Sequence, residues 1–221
     1  MDFVLWLFSL GYLFQLVATA MLVLTVLKTR SIFGLSHDTQ LLFLVGQLAR
    51  LVWIYDTRLY KYAFAQAELI ANVLLSAYAC YLCHKYALTN IMTTPNYLKA
   101  GPIVGICAVL CFFFHPGDKG DYFFTMQMLV SFTIFIECVG LLPQFYLMVR
   151  RGEVEGMTKH YIMMLGIARF FRTLFWALMY MKGESFLHLI LADLLHTLVL
   201  ADFAYLYYKS MVSGKRLLLG R

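Results

Sequence analysis

FVLWLFSLGYLFQLVATAMLVLTVL, residues Phe3 to Leu27, decides how the rest of the chain is read: 25 residues pass without one Asp, Glu, Lys or Arg. A helix rises about 1.5 Å per residue and needs about 20 apolar residues to cross a hydrocarbon core, so this run reads as a membrane span. No basic segment precedes it, and it is longer than the roughly 7–15 apolar residues of a cleaved signal, so it is expected to stay in the mature protein. Six further runs follow outward from it: Gln40–Tyr55, Ala63–Cys83, Tyr97–Phe114, Tyr122–Val149, Tyr161–Met181 and Phe186–Tyr208. Breaks such as Lys28-Thr29-Arg30, Pro116-Gly117-Asp118-Lys119-Gly120-Asp121 and Arg150-Arg151-Gly152-Glu153 separate them. The composition agrees, with 62% apolar and 14% charged residues among 221 and a mean hydropathy of +0.75. Lys+Arg 18 and Asp+Glu 12 cannot solvate so apolar a surface, which excludes a soluble enzyme core, a disordered chain and a disulfide framework. The expected fold is an all-α membrane protein of seven transmembrane helices.

Lys and Arg set its orientation, because cytosolic loops carry their excess. Seven crossings put the termini on opposite sides. Arg58, Lys61, Lys119 and Lys182 fall on the N-terminal side, against Lys28, Arg30, Lys85, Lys99, Arg150, Arg151, Lys159, Lys209, Lys215, Arg216 and Arg221 on the other. The N-terminus is therefore expected to be lumenal or extracellular and the tail, residues 209–221, cytosolic. The net charge of +6 follows from this asymmetry and suits anionic membrane lipids, so nucleic acid is not an expected partner.

Set against itself at an offset of 122, the chain pairs Lys28 with Arg150, Gly34-Leu35-Ser36 with Gly156-Met157-Thr158, Leu41-Leu42 with Met163-Met164, Arg50 with Arg172 and Gln15 with Glu137. The offset superposes a three-helix repeat over residues 3–83 on another over 122–208 and leaves residues 97–114 as a linker helix. An odd number of crossings separates the two, so they share one orientation, and parallel repeats of this kind hold their site between the halves near the midplane.

Charges in the apolar runs mark that site, since an Arg at a helix centre costs roughly 2.5–3.5 kcal/mol to insert and faces the interior. Arg50 and Arg172 fall at equivalent depths, each roughly 15 Å along its run at about 1.5 Å per residue. Arg169, Arg172 and Trp176 follow an i, i+3, i+7 spacing and share one helix face. Guanidinium forks suit bidentate capture of carboxylates, so a ligand with two or more negative groups fits three of them. The same residues also admit mutual neutralisation by Glu68, Glu137 and Asp193, with Glu137 as a structural or gating partner of either Arg169 or Arg172. His188 and His196 lie about two turns apart, where imidazoles can titrate near neutral pH or sit as satisfied core residues. Cys80 and Cys83 have redox-motif spacing but lie in an apolar helix with the character of packing residues, as do Cys107, Cys111 and Cys138. No nucleophile elbow, phosphate loop or zinc motif occurs, so neither an enzyme nor a metal or cofactor site is expected.

A set of strings in register from the first helix to the tail is similar to the KDEL receptors. These are Lys28-Thr29-Arg30, the Gly34-x-Ser36 turn, Gln40-Leu41-Leu42-Phe43 with Arg50, Glu137 with Leu142-Pro143-Gln144, Gly152-Glu153, His160-Tyr161, Leu165-Gly166, Arg169, Trp176, Asp202-Phe203 with Tyr205-Leu206-Tyr207, and Gly214-Lys215-Arg216. Pro143-Gln144 also links the chain to the wider PQ-loop and SWEET-type architecture. The resemblance implies a receptor in endoplasmic reticulum and Golgi membranes that binds C-terminal KDEL- or HDEL-like signals of escaped lumenal proteins at acidic pH and returns them in COPI vesicles. It implies that Arg50 holds the peptide carboxyl terminus, with Arg169 and Trp176 contributing, that Lys215 and Arg216 recruit the COPI coat, and that Asp202 serves trafficking.

Departures from the family pattern are as specific. Gln15 stands in place of the pH-linked histidine, Trp53 for an aspartate, Gln127 for the glutamate that meets the signal's first residue, Ala168 and Arg172 for tyrosines, Phe175 for an asparagine and Met179 for an arginine. Arg172 is expected to replace a lost cation in the peptide site, and Gln127 to relax the preference for Lys or His at the signal's first position. The residues leave one reading of another class open, a SWEET- or PQ-loop-like transporter of a small sugar or amino acid.

Overall fold

The computed structural model describes residues 3–56, 58–90, 93–115, 126–151, 156–183, 190–194, 197–198, 200–201, 203–205 and 208. They form seven α-helices in order: α1 (Phe3–Thr29), α2 (His37–Trp53), α3 (Ala63–Lys85), α4 (Ala100–Phe113), α5 (Met126–Val139), α6 (Leu142–Arg151) and α7 (Gly156–Met181). The described residues between 190 and 208 are helical too, and no strand occurs among the described residues. Among the described residues four segments are long and apolar enough to cross a membrane: Phe3–Thr29, Ala63–Lys85, Met126–Arg151 and Thr158–Met181. Their outward faces carry large apolar side chains at exposures no aqueous surface would favour, such as Leu24 at 66% and Leu74 at 65%, and lipid is the solvent that suits them.

The run expected as one continuous helix over Tyr122–Val149 is instead broken between α5 and α6 at Gly140 and Leu141. Pro143 is the reason: it has no N–H to give to the carbonyl four residues earlier, and its ring crowds that carbonyl. The neighbouring Gln144 then acts as a clamp. Its Nε2 donates to the Gly34 carbonyl at 2.7 Å, and its Oε1 accepts from the Ser36 N–H at 2.7 Å. Gly34 turns the chain with φ 84, a left-handed conformation that suits a residue without Cβ. Ser36 then caps α2 by accepting the Thr39 N–H, so α2 starts earlier than the apolar run suggests and ends at Trp53 in a 3-10 turn, Ile54–Asp56.

α3 packs against both α1 and α2, α1 lies along α7, and α2 lies along α5, with α4 on the outer side of α5. α1 and α7 approach closely at Gly11, where an added Cβ would come within 2.7 Å of Arg172 Cγ and 2.9 Å of the Ala168 carbonyl oxygen. Among the described residues three apolar clusters fill the interior, one of them between α2, α4 and α5 around Leu42, Ile103 and Ile136 and the other two along α1. Of these two, one gathers Val4, Leu7, Phe8 and Tyr12 of α1 with Trp53, Leu69, Phe175 and Trp176; the other gathers Ala18, Leu22 and Val26 with Leu82, Tyr161 and Leu165. Between them along α1 lies the buried Gln15, and the arginines Arg50 and Arg172 converge around Tyr12, one turn before it.

Candidate functional site, an intramembrane charge cluster

Arg50 is fully buried near the end of α2, where it cannot reach water and must find an anion. Glu68 of α3 supplies it in a two-pronged pair: Nη1 donates to Oε1 at 3.0 Å and Nη2 to Oε2 at 2.6 Å, both side chains being 1% exposed. Asn72 lies one turn along α3 from Glu68, and its Nδ2 donates both to Glu68 Oε1 and to the Tyr12 carbonyl, tying the pair to α1. The Arg50 guanidinium carbon sits 3.4 Å from the centroid of the Tyr12 ring and that of Arg172 4.5 Å from it. One buried phenol ring thus receives two cations, an attraction that strengthens once water is excluded.

The second half of the cluster is built on α7. Arg169 Nη1 donates to Asp193 Oδ1 at 2.9 Å, and its Nη2 lies 3.2 Å from Glu137 Oε2; Arg172 Nη1 donates to the same Glu137 oxygen. Glu137 on α5 therefore holds both α7 arginines, so the two alternatives left by the sequence are both realised. Among the described residues the cluster comprises three arginines and three carboxylates, each arginine in an ion pair. Several buried atoms beside these pairs make no hydrogen bond: Arg50 Nε, Arg172 Nε, Glu137 Oε1, Asp193 Oδ2 and both amide atoms of Gln47. Gln47 lies three residues before Arg50, on the same face of α2.

Glu137, Arg169, Arg172 and Trp176 line a common cavity with Phe8, Tyr12, Trp53, Val130, Thr133, Ile134 and Asp193. Its volume is about 10 Å³, which is room for about one water. Trp53 closes one side by donating from Nε1 to Thr133 Oγ1 at 3.1 Å. Trp176 packs edge-on against Phe175, with ring centroids 4.9 Å apart. Of the residues expected from the sequence, Arg50 joins the cluster through the Tyr12 ring, whereas Gln127 is exposed in the first turn of α5 and does not line the cavity. Asp202, Lys215, Arg216, His188 and His196 lie outside the described residues. The sequence reading passed over Tyr12, Asn72 and Gln47. Asn72 was within reach of spacing, since it follows Glu68 by four residues on one helix face, but nothing local distinguishes Tyr12 from an interface tyrosine.

A sequence model described as the ER lumen protein retaining receptor matches residues 31–179, from the turn before α2 to nearly the end of α7. The chain belongs to the ER lumen protein retaining receptor family. It is 31% identical over 209 residues to the ER lumen protein-retaining receptor of Drosophila melanogaster, covering 94% of this chain and 95% of that one. The Dictyostelium discoideum receptor is 30% identical over 214 residues, covering 95% and 96%, and ER lumen protein-retaining receptor 2 of Homo sapiens 29% over 210, covering 94% and 95%. This is the KDEL-receptor family that the sequence strings resemble, a family of receptors and not of enzymes. The retaining-receptor match contains Arg50, Glu68, Glu137, Arg169, Arg172 and Trp176, while Tyr12 and Asp193 lie beyond its two ends.

Proposed function

We propose that this protein is a retrieval receptor that binds the C-terminal KDEL- or HDEL-like signals of escaped lumenal proteins in the Golgi and returns them to the endoplasmic reticulum. Membership in the retaining-receptor family along nearly the whole chain carries this reading. Arg169 and Arg172, which line one cavity with Trp176, and Arg50, which joins them through the Tyr12 ring, suit the carboxyl terminus of a peptide. Gln127, in the first turn of α5, is on the approach to the signal's first residue. Acidic pH favours binding, Glu137 holds α5 to α7 as the gating partner, and Lys215 and Arg216 recruit the COPI coat from a cytosolic tail, with Asp202 serving the same traffic.

The same reading takes the chain as seven crossings, residues 3–83 and 122–208 forming parallel three-helix halves around a linker over 97–114. Reciprocal packing supports it: the first helix of one half lies on the second of the other, α1 on α7, and α2 on α5 in the same way. In addition, Arg50 and Arg169 each pair with an acid on the next helix of their own half.

The test is binding of labelled C-terminal peptides, with free and with amidated ends, to the purified protein at mildly acidic and at neutral pH. Binding of free-ended KDEL-type peptides that weakens at neutral pH is the expected result. Uptake of a sugar or amino acid into proteoliposomes, with no peptide binding, would replace the receptor by a transporter.

A further inference from the structure

The arginine cluster offers hydrogen-bond donors but no spare charge. Glu68 meets Arg50 on two prongs, Asp193 meets Arg169, and Glu137 meets Arg169 and Arg172, so the described residues of the site sum to zero charge. All six side chains are no more than 3% exposed, where charge is weakly screened and every added anion must be matched. Arg50 Nε and Arg172 Nε make no hydrogen bond, and the Gln47 amide has both its donor and its acceptor free. Beyond the terminal carboxylate that the receptor reading requires, such a site favours neutral polar groups over further anions. Three carboxylates would bring three uncompensated charges.

From this balance, and resting on the receptor reading above, we propose that Glu68 and Asp193 are specificity-determining residues: they stand where acidic side chains of a signal would otherwise be required, so the site selects C-terminal peptides by the free terminal carboxylate and neutral hydrogen-bonding side chains. The two acids come from different helices and each neutralises an arginine of its own, whereas Glu137 is shared by both α7 arginines and holds α5 to α7. Removing the Asp193 charge leaves Arg169 with Glu137 3.2 Å away, so the pocket gains a positive charge without orphaning a cation.

The experiment compares four peptides on the full-length protein: one ending in Lys-Asp-Glu-Leu, one ending in Lys-Asn-Gln-Leu, and the amidated form of each. The wild type is expected to bind the free-ended Lys-Asn-Gln-Leu peptide at least as tightly as the free-ended Lys-Asp-Glu-Leu peptide, and neither amidated one. Asp193→Asn is expected to shift the ratio roughly tenfold toward the acidic peptide, and Asp193→Glu to restore the wild-type ratio. Glu68→Gln is the second variant and should shift the ratio in the same direction. A wild type that loses more than roughly tenfold with the neutral peptide, or an unchanged ratio in folded Asp193→Asn, overturns this assignment while leaving the receptor reading intact. No binding of any free-ended peptide by the wild type overturns the receptor reading itself.

Discussion

Glu68 shows how much of this protein rests on single side chains. A buried ion pair is costly to form and more costly to break, because loss of one partner leaves the other charged in an apolar interior. Glu68→Leu is therefore expected to destabilise the fold by about 3–5 kcal/mol, read as a lowered unfolding midpoint in detergent. Arg50→Met combined with Glu68→Leu should recover most of that loss, since neither charge then needs a partner. A double variant as unstable as the single one would mean that Arg50 matters mainly through its stacking on Tyr12. Spacing along the chain identified Arg50, Arg172 and Glu137 as interior ionisable residues, but the aromatic ring between the arginines lies 38 residues before Arg50, where no periodicity could point to it.

Helices here are set by where they stop and how closely they approach. Pro143 breaks a run that apolar length alone reads as continuous, and Gln144 uses the break to hold the turn before α2, 108 residues away. Gln144→Ala removes two hydrogen bonds to backbone groups of that turn and should cost about 2–3 kcal/mol, with faster hydrogen exchange at the start of α2 as the local sign. Gly11 plays the corresponding part between α1 and α7. In Gly11→Ala the new methyl meets the Ala168 carbonyl oxygen, which cannot turn aside as a side chain could, and a loss of about 1–3 kcal/mol is expected in thermal unfolding. Val at this position should be worse than Ala. If both bind and unfold like the wild type, α1 and α7 are not in close contact at this level.

For the molecule as a whole, the distribution of Lys and Arg makes a topological prediction. A glycosylation tag at the N-terminus should be modified and one at the C-terminus should not, in microsomes or cells; the reverse pattern would invert every assignment of loops to compartments. The sequence by itself determined that the chain is an all-helical membrane protein of the retaining-receptor family, because apolar length, uncharged runs and short motifs are properties of consecutive residues. It also singled out the ionisable residues that a bilayer forces inward. Only the tertiary structure decided which carboxylate meets which arginine, that Tyr12 lies against two guanidinium groups, that Gln127 stays away from the cavity, and that the charges of the cluster balance. Those outcomes depend on distances between helices far apart in the chain, as when Trp53 reaches Thr133 across 80 residues, and long-range pairing leaves no trace in local spacing.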